Sequence, residues 1–302
     1  MKRILRVFPK RTSYTPDDDM VYIGMPDMLV PDHDEVHISC IFTWDRPYCR
    51  ELQFQWQGIT DKPVLLGGPA FNSPVKGFQQ GMYVKSNVIF TSRGCNNHCG
   101  FCGVPKLEGP IQELPIYTGN IIQDNNFLQY SREHKDKVFE MLKTQKGICF
   151  KGGLQTSLID DHFTENIRAL TYKRGKKEHS RISEIWLACD SDNAIEPLRK
   201  AVKKLNEAGF DQSKIYCYAL IGGENATPET MEKNEARLQE IFRIGAMPRA
   251  QLYQNFNDEK IPYSKDWTRF EKQWQRPAAT KDHCLKGTNF NDFYKKVILT
   301  KI

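Results

Sequence analysis

Short apolar runs alternate with polar, helix-spaced stretches along most of the chain. Residues 2–8 alternate as a short strand, and residues 9–34, rich in Pro and Asp, read as loops around a brief segment at Val21 to Gly24. Residues 35–42 form an apolar, β-branched run that predicts a buried strand. Residues 47–57 predict a short helix with Leu52, Phe54 and Trp56 as packing residues. Residues 62–70 predict a strand that ends in Gly67-Gly68-Pro69. Strand, helix and strand together suggest one βαβ crossover in a small parallel sheet. Residues 71–87 read as a polar connector.

Beyond residue 87 the pattern becomes repetitive. Strands are predicted at 87–91, 119–123, 147–151, 184–189, 214–220 and 249–253. Helices follow at about 130–143, 162–171, 193–208, 228–244 and 264–274. The helix over 193–208 carries Ile195, Leu198, Val202 and Leu205 at near-helical spacing and stops at Gly209. The next opens with Thr227 as cap and Pro228 in its first turn, places Leu238, Ile241 and Phe242 on one face, and ends at Gly245. Alternating strands and helices predict an α/β protein with a parallel sheet and helices outside it. Six units are too few for a closed eight-stranded barrel. In sheets of this kind, functional residues sit at the carboxyl ends of the strands. The expected division is a small α/β segment over 1–86 and a larger domain over 87–302.

One stretch carries explicit chemistry. The run Thr91-Ser-Arg-Gly-Cys95-Asn-Asn-His-Cys99-Gly-Phe-Cys102-Gly-Val-Pro105 holds three cysteines in a C-x3-C-x2-C spacing, directly after an apolar strand. Thiolates select zinc, copper(I) or iron–sulfur clusters. A closed structural zinc site wants four ligands, and no second cysteine pair lies nearby. Three thiolates on a four-iron cluster leave one iron open to a substrate or cofactor. The rival reading is a structural cysteine cluster, or a zinc loop with His98 as fourth ligand.

At these residues the sequence resembles the radical S-adenosylmethionine (SAM) superfamily, with Phe101 as the aromatic residue before the last cysteine. The flanking residues are most similar to the branch that includes the tRNA methylthiotransferases and cobalamin-linked members. The resemblance implies an open partial (β/α)6 barrel. It implies a [4Fe–4S] cluster on Cys95, Cys99 and Cys102, with the amine and carboxylate of SAM on the fourth iron. It further implies reductive cleavage of SAM to a 5′-deoxyadenosyl radical that abstracts hydrogen from a substrate. An external electron donor such as flavodoxin or ferredoxin would supply the electron. The substrate is not named by the sequence; a nucleic-acid base, a nucleotide and a peptide are the classes considered.

The strand ends supply the remaining candidates for SAM. Gln123-Asp-Asn-Asn-Phe127 resembles the Asp-Asp-Asn-Phe sequence of the methylthiotransferase-like branch, and Asp124 is the candidate for the amine. The amine-binding Gly-Gly-Glu expected after the second strand is absent there; Gly222-Gly223-Glu224 lies at the fifth. Gln155 follows Gly152-Gly153 at the third strand and would face the barrel mouth. The resemblance points to Asp190 and Ser191 at the fourth strand for ribose or carboxylate, and to Ile221 and Gly222 at the fifth for adenine. Arg249 at the sixth would meet an anionic substrate or a SAM carboxylate. No residue is assigned to hydrogen abstraction itself.

The first segment looks like a shortened cobalamin-binding domain, mainly in its Gly-Gly-Pro. The family's cobalt-ligating Asp-x-His-x-x-Gly is missing, and the nearest text is Asp32-His33-Asp34-Glu-Val-His37. A structural cap or substrate platform is the expectation. A methylthiotransferase would carry three further cysteines before the motif, where only Cys40 and Cys49 stand, so that activity is not assigned. The competing class is a non-catalytic iron–sulfur or zinc-binding protein.

Composition changes little. The chain has 302 residues, 39% hydrophobic and 26% charged, which is ordinary for a globular protein. No apolar run approaches the roughly 20 residues that cross a bilayer, so no membrane partner is expected. Nine cysteines and no export signal point to a reducing cytoplasm. Cys40, Cys49, Cys149, Cys189, Cys217 and Cys284 read as small core residues. A net charge of +6 weakly favours an anionic partner, nucleic acid included. Its densest cluster, Lys173-Arg-Gly-Lys-Lys177, reads as a solvated loop. Trp267, Phe270, Trp274, Phe290 and Tyr294, set among basic residues in the tail, suggest a packed cap or a base-stacking surface.

Overall fold

The computed structural model describes residues 2–71, 80–223 and 226–286. The chain is α/β, with a six-stranded parallel sheet and eight α-helices among the described residues. It divides into two compact units, residues 1–125 with 255–260, and residues 126–254 with 261–302.

The first unit opens with β1 (Ile4–Phe8), β2 (Val21–Ile23), β3 (Glu35–Ser39), α1 (Arg46–Ile59) and β4 (Val64–Gly67). These strands form a parallel sheet in the order β2-β1-β3-β4, with Leu5 opposite Val36 and Val36 opposite Val64. Its core is Leu5, Val7, Val36, Ile38, Leu52 and Trp56. Leu52 and Trp56 are four residues apart on one helix face and are 0% exposed, whereas Phe54, half a turn round, is 73% exposed. Phe54 is therefore not the packing residue the sequence suggested. β3 also stops three residues short of the expected 42, because the chain turns at Cys40 into a short 3-10 turn that leads into α1.

The same unit continues with β5 (Val88–Ile89), β6 (Ser92–Arg93), α2 (Val104–Leu107), β7 (Gln112–Glu113) and β8 (Ile121–Ile122). β5 pairs parallel with β8, and β6 antiparallel with β7.

The second unit contains α3 (Arg132–Leu142), β9 (Ile148–Gln155), α4 (Asp161–Ala169), β10 (Thr171–Arg174), β11 (Lys177–Ser180) and β12 (Ile182–Ala188). Then follow α5 (Ile195–Glu207), β13 (Ile215–Ile221), α6 (Pro228–Ile244), β14 (Met247–Leu252), α7 (Lys265–Trp274) and α8 (Pro277–Lys286). β9, β12, β13 and β14 pair parallel, each with the next in chain order. The six-stranded order β14-β13-β12-β9-β8-β5 simply follows the sequence. Such an order means that each new strand is added on the same edge, and right-handed crossovers then put the connecting helices on one side of the sheet.

Two details differ from the sequence reading. β9 runs on through Gly152 and Gly153 to Gln155, with a register irregularity against β12. The basic cluster at 173–177 is the end of an antiparallel hairpin, β10–β11, not a loop alone. The tail aromatics Trp267, Phe270 and Trp274 are buried on α7, in line with the packed-cap reading, and present no stacking surface. The backbone of β14 is tied to this region, where Leu252 N–H donates to Glu271 (3.0 Å) and Gln275 donates to the Ala250 carbonyl (3.4 Å). Residues 72–79 of the connector at 71–87, Glu224, Phe290 and Tyr294 lie outside the described residues.

Phe127, Phe139, Phe150 and Phe163 form an aromatic cluster, with Phe127–Phe150 centroids 5.2 Å apart and Phe150–Phe163 5.5 Å. α6 has the expected cap, Thr227 accepting from Thr230 N–H, and the expected left-handed end at Gly245.

Candidate functional site

The cysteine loop belongs to the first unit and is closed at its base by backbone bonds. β6 enters it, β7 leaves it, and the Leu114 N–H donates to the Thr91 carbonyl (2.9 Å) while Cys95 N–H donates to the Gly109 carbonyl (3.2 Å). Ile111 N–H adds a bond to Asn96 Oδ1 (3.1 Å). Gly94 makes this closure fit. Its φ is +79°, and a Cβ there would sit 2.2 Å from the Pro110 carbonyl oxygen, so no other residue can occupy the position without moving backbone.

Asp124 fixes the entry to the loop. It is 2% exposed, and its carboxylate accepts from Thr91 N–H (2.6 Å), the Thr91 hydroxyl (2.6 Å) and Ser92 N–H (3.1 Å). A carboxylate with three donors is strongly held, and here it positions the start of β6, the strand that leads to Cys95. On the other side, Glu108 accepts from the Arg93 guanidinium (3.3 Å) and Gly94 N–H (3.3 Å), while Arg93 lies 3.9 Å over the Phe90 ring. Gly103 is packed so closely on the Phe256 ring that a Cβ would meet it at 2.3 Å. Sequence reasoning missed Glu108, Pro110 and Phe256; the local text Glu108-Gly109-Pro110 was the available signal.

Within this frame the thiols differ in access. Cys95 is 9% exposed and its Sγ accepts from Asn97 N–H (3.4 Å), Cys102 is half-buried, and Cys99 is exposed, as is Phe101 at 37%. Exposed His98 has Nδ1 3.1 Å from the Asn96 carbonyl oxygen. Among the described residues, no group of three or more His, Cys, Asp or Glu side chains is gathered so as to hold a metal ion. The donor set itself, three thiols on one closed loop, has the chemistry that soft metals and iron–sulfur clusters take.

The strand ends of the second unit are different. Gln155 accepts from Asn126 (2.9 Å) and Gln129 (3.3 Å) and donates to the Ser157 hydroxyl (3.0 Å). Asp190 accepts from Leu220 N–H (2.9 Å), and burial pushes its carboxyl above the ordinary range. Ser191 is exposed, and its carbonyl accepts from Ala194 N–H (3.0 Å). Ile221 shares the buried face of β13 with Ile215, Cys217 and Ala219. Tyr263 packs on Gly222, and its hydroxyl accepts from Gly223 N–H (3.0 Å) while donating to the Tyr253 carbonyl (2.8 Å).

The alternate face of the same strands was not singled out from sequence, apart from Arg249. There Trp186 stacks with Tyr216 (4.7 Å) and lies 4.5 Å from Tyr218. Lys151 is 4.4 Å from the Trp186 ring and pairs with Glu184; the Arg249 guanidinium is 5.7 Å from the same ring. Arg249 Nε is buried without a hydrogen-bond partner among the described residues.

In the first sheet, Gly67-Gly68-Pro69 is a backbone crossing. Cys40 N–H donates to the Gly67 carbonyl (2.9 Å), Ala70 N–H donates to the Cys40 carbonyl (3.1 Å), and a Cβ on Gly68 would meet Cys40 O at 2.5 Å. The strand order reverses between β1 and β3, the place where open α/β sheets bind ligands. Only a small hollow of about 10 Å³, room for about one water, lies at those strand ends, lined by Phe8, Lys10, Thr12, Ser39, Phe42 and Asp45, with Lys10 and Asp45 paired at 3.0 Å.

The scattered cysteines are core residues, as expected, except that Cys284 is only half-buried. Burial pushes the Cys149 and Cys284 thiols up to about 11. The Cys40 thiol is raised by its hydrogen bond with Cys49 and by burial, and the Cys217 thiol by burial and its hydrogen bond with Cys189. No helix among the described residues is long and apolar enough to cross a membrane.

No family model matches the chain, and no curated protein matches its sequence. The class defined by fold and site is thus an α/β protein with a parallel sheet and a closed three-cysteine loop.

Proposed function

We propose that the chain is a radical SAM enzyme whose cluster is held by Cys95, Cys99 and Cys102. The observation that carries this reading is the loop itself. Its C-x3-C-x2-C thiols sit between backbone closures at Thr91–Leu114 and Cys95–Gly109, graded from buried Cys95 to exposed Cys99. The sequential strand order is the order of a (β/α) barrel, and a partial barrel of six units is part of the proposal.

When bound, the cluster and SAM supply the one-electron chemistry: reductive cleavage to a 5′-deoxyadenosyl radical that takes hydrogen from the substrate. This chain's residues do the rest. Asp124 holds the entry strand and is a positioning residue rather than a ligand of the SAM amine, because three donors already engage its carboxylate. Exposed Phe101, on the same loop as the thiols, remains a candidate for contact with SAM. A flavodoxin- or ferredoxin-type donor is the proposed source of the electron.

The test is anaerobic. The protein is reconstituted with iron and sulfide, reduced and given SAM, and 5′-deoxyadenosine is measured beside a Cys99→Ala control. Deoxyadenosine formed only by the intact triad supports the proposal. A cluster whose spectrum SAM does not perturb, with no cleavage, favours the non-catalytic metal protein instead. Zinc retained in place of iron points to the same alternative.

A further inference from the structure

The densest positive cluster of the chain sits at the end of the β10–β11 ribbon. Its register pairs Thr171 with Ser180, Tyr172 with His179, Lys173 with Glu178 and Arg174 with Lys177. Directly paired residues share a face, and successive residues alternate between faces. One face therefore carries Tyr172, His179, Arg174 and Lys177. The other carries Thr171, Ser180, Lys173 and Glu178.

The two faces are chemically unlike. Glu178, the one carboxylate of the ribbon, lies on the second face and accepts from the Thr171 hydroxyl (2.6 Å). The first face has no acid. On it the Tyr172 and His179 rings stack at 5.6 Å with 28° between planes. Lys146 Nζ lies 4.6 Å from the Tyr172 ring and the Arg181 guanidinium 5.5 Å. Arg181 is fixed at the base of the ribbon by bonds to the carbonyls of Thr171 and Gln145, both 2.8 Å.

Folding gives no reason for this arrangement. Residues 173–179 are exposed, so they add no core. Like charges directly opposite each other weaken a ladder, and Arg174 faces Lys177. Among the described residues neither is in an ion pair. The tip carries no large apolar residue that would enter a bilayer. Cations beside an exposed ring, here His179, are what a nucleic-acid strand needs: the cations meet phosphates, and the ring offers a face to an unpaired base.

We infer that the Tyr172–His179–Arg174–Lys177 face of the β10–β11 ribbon binds single-stranded nucleic acid. Arg174 and Lys177 contact phosphates and exposed His179 stacks on a base. The inference stands without the cluster reading, and the cluster reading stands without it.

The test uses the full chain without added iron and follows fluorescence anisotropy of a labelled single-stranded RNA. The same RNA as a duplex and anionic phospholipid vesicles are the competitors. The single strand binds, and the logarithm of its affinity falls linearly with the logarithm of salt. Arg174→Ala with Lys177→Ala lowers that slope by about 1 to 1.5, from roughly 0.7 per phosphate contact. His179→Ala weakens binding about fivefold or more, the lower end of one lost base stack. Lys173→Ala, on the opposite face, weakens binding less than Arg174→Ala. The substituted residues are exposed, and an unchanged far-ultraviolet spectrum verifies the fold. The proposal is overturned if the single strand does not bind, if the double variant keeps the parental slope, if Lys173→Ala matches Arg174→Ala, or if duplex or vesicles bind more tightly than the single strand.

Discussion

The cysteine loop and the strand ends of the second unit handle their polar groups in opposite ways. In the loop, closure is made mainly by backbone groups and by two buried or half-buried acids, Asp124 and Glu108, which leaves Cys99 and Phe101 at the surface. At the strand ends, the side chains themselves make the closures: Gln155 joins Asn126, Gln129 and Ser157, and Asp190 holds Leu220. A polar residue at a strand end is thus a site candidate only when local structure does not already engage it. Buried polar groups must find partners, and the nearest partner is often the neighbouring turn.

Three substitutions probe this contrast, in falling order of effect. Asp124→Ala removes a buried acceptor and leaves three donors without it, and unfolding in urea should lose about 3 kcal/mol. A loss under about 1 kcal/mol would mean that the loop entry is held by something else. Gly94→Ala forces a left-handed residue against the Pro110 carbonyl and should cost about 2 kcal/mol or more. If calorimetry finds the variant as stable as the parent, the closure is not tight there.

The smallest effect comes from the strand-end acid. Burial raises the Asp190 carboxyl above its unfolded value of 3.8. Its contribution to stability is thus fully present below the unfolded value and declines as pH rises through the folded one. Asp190→Asn keeps an oxygen acceptor for Leu220 and avoids the buried charge. It should be at least as stable as the parent near neutral pH, with the difference closing as pH falls toward 4. A variant that is less stable at neutral pH, increasingly so as pH rises, would show that the carboxylate charge is needed.

The alternating pattern foretold most strands and helices because burial periodicity is local. Leu198, Val202 and Leu205 fell on the buried face of α5, and Thr227 and Gly245 bounded α6 as expected. The pattern also placed the cysteines directly after an apolar strand. The β10–β11 hairpin was hidden because residues 173–179 are exposed and mostly charged, so no apolar period marks them. Phe54 misled for a related reason: it lies on the solvent side of α1 despite its chemistry.

By itself, the sequence determined the α/β alternation, the helix ends and the presence of three closely spaced thiols. These follow from side-chain type and spacing along the chain. Only the tertiary structure decided that Asp124 binds backbone beside the cysteine loop, that Gly67-Gly68 is a crossing against Cys40, and that Arg174 and Lys177 share a face with a stacked ring pair. Each of these depends on contacts between residues distant in sequence or on strand register, and neither is written in local periodicity.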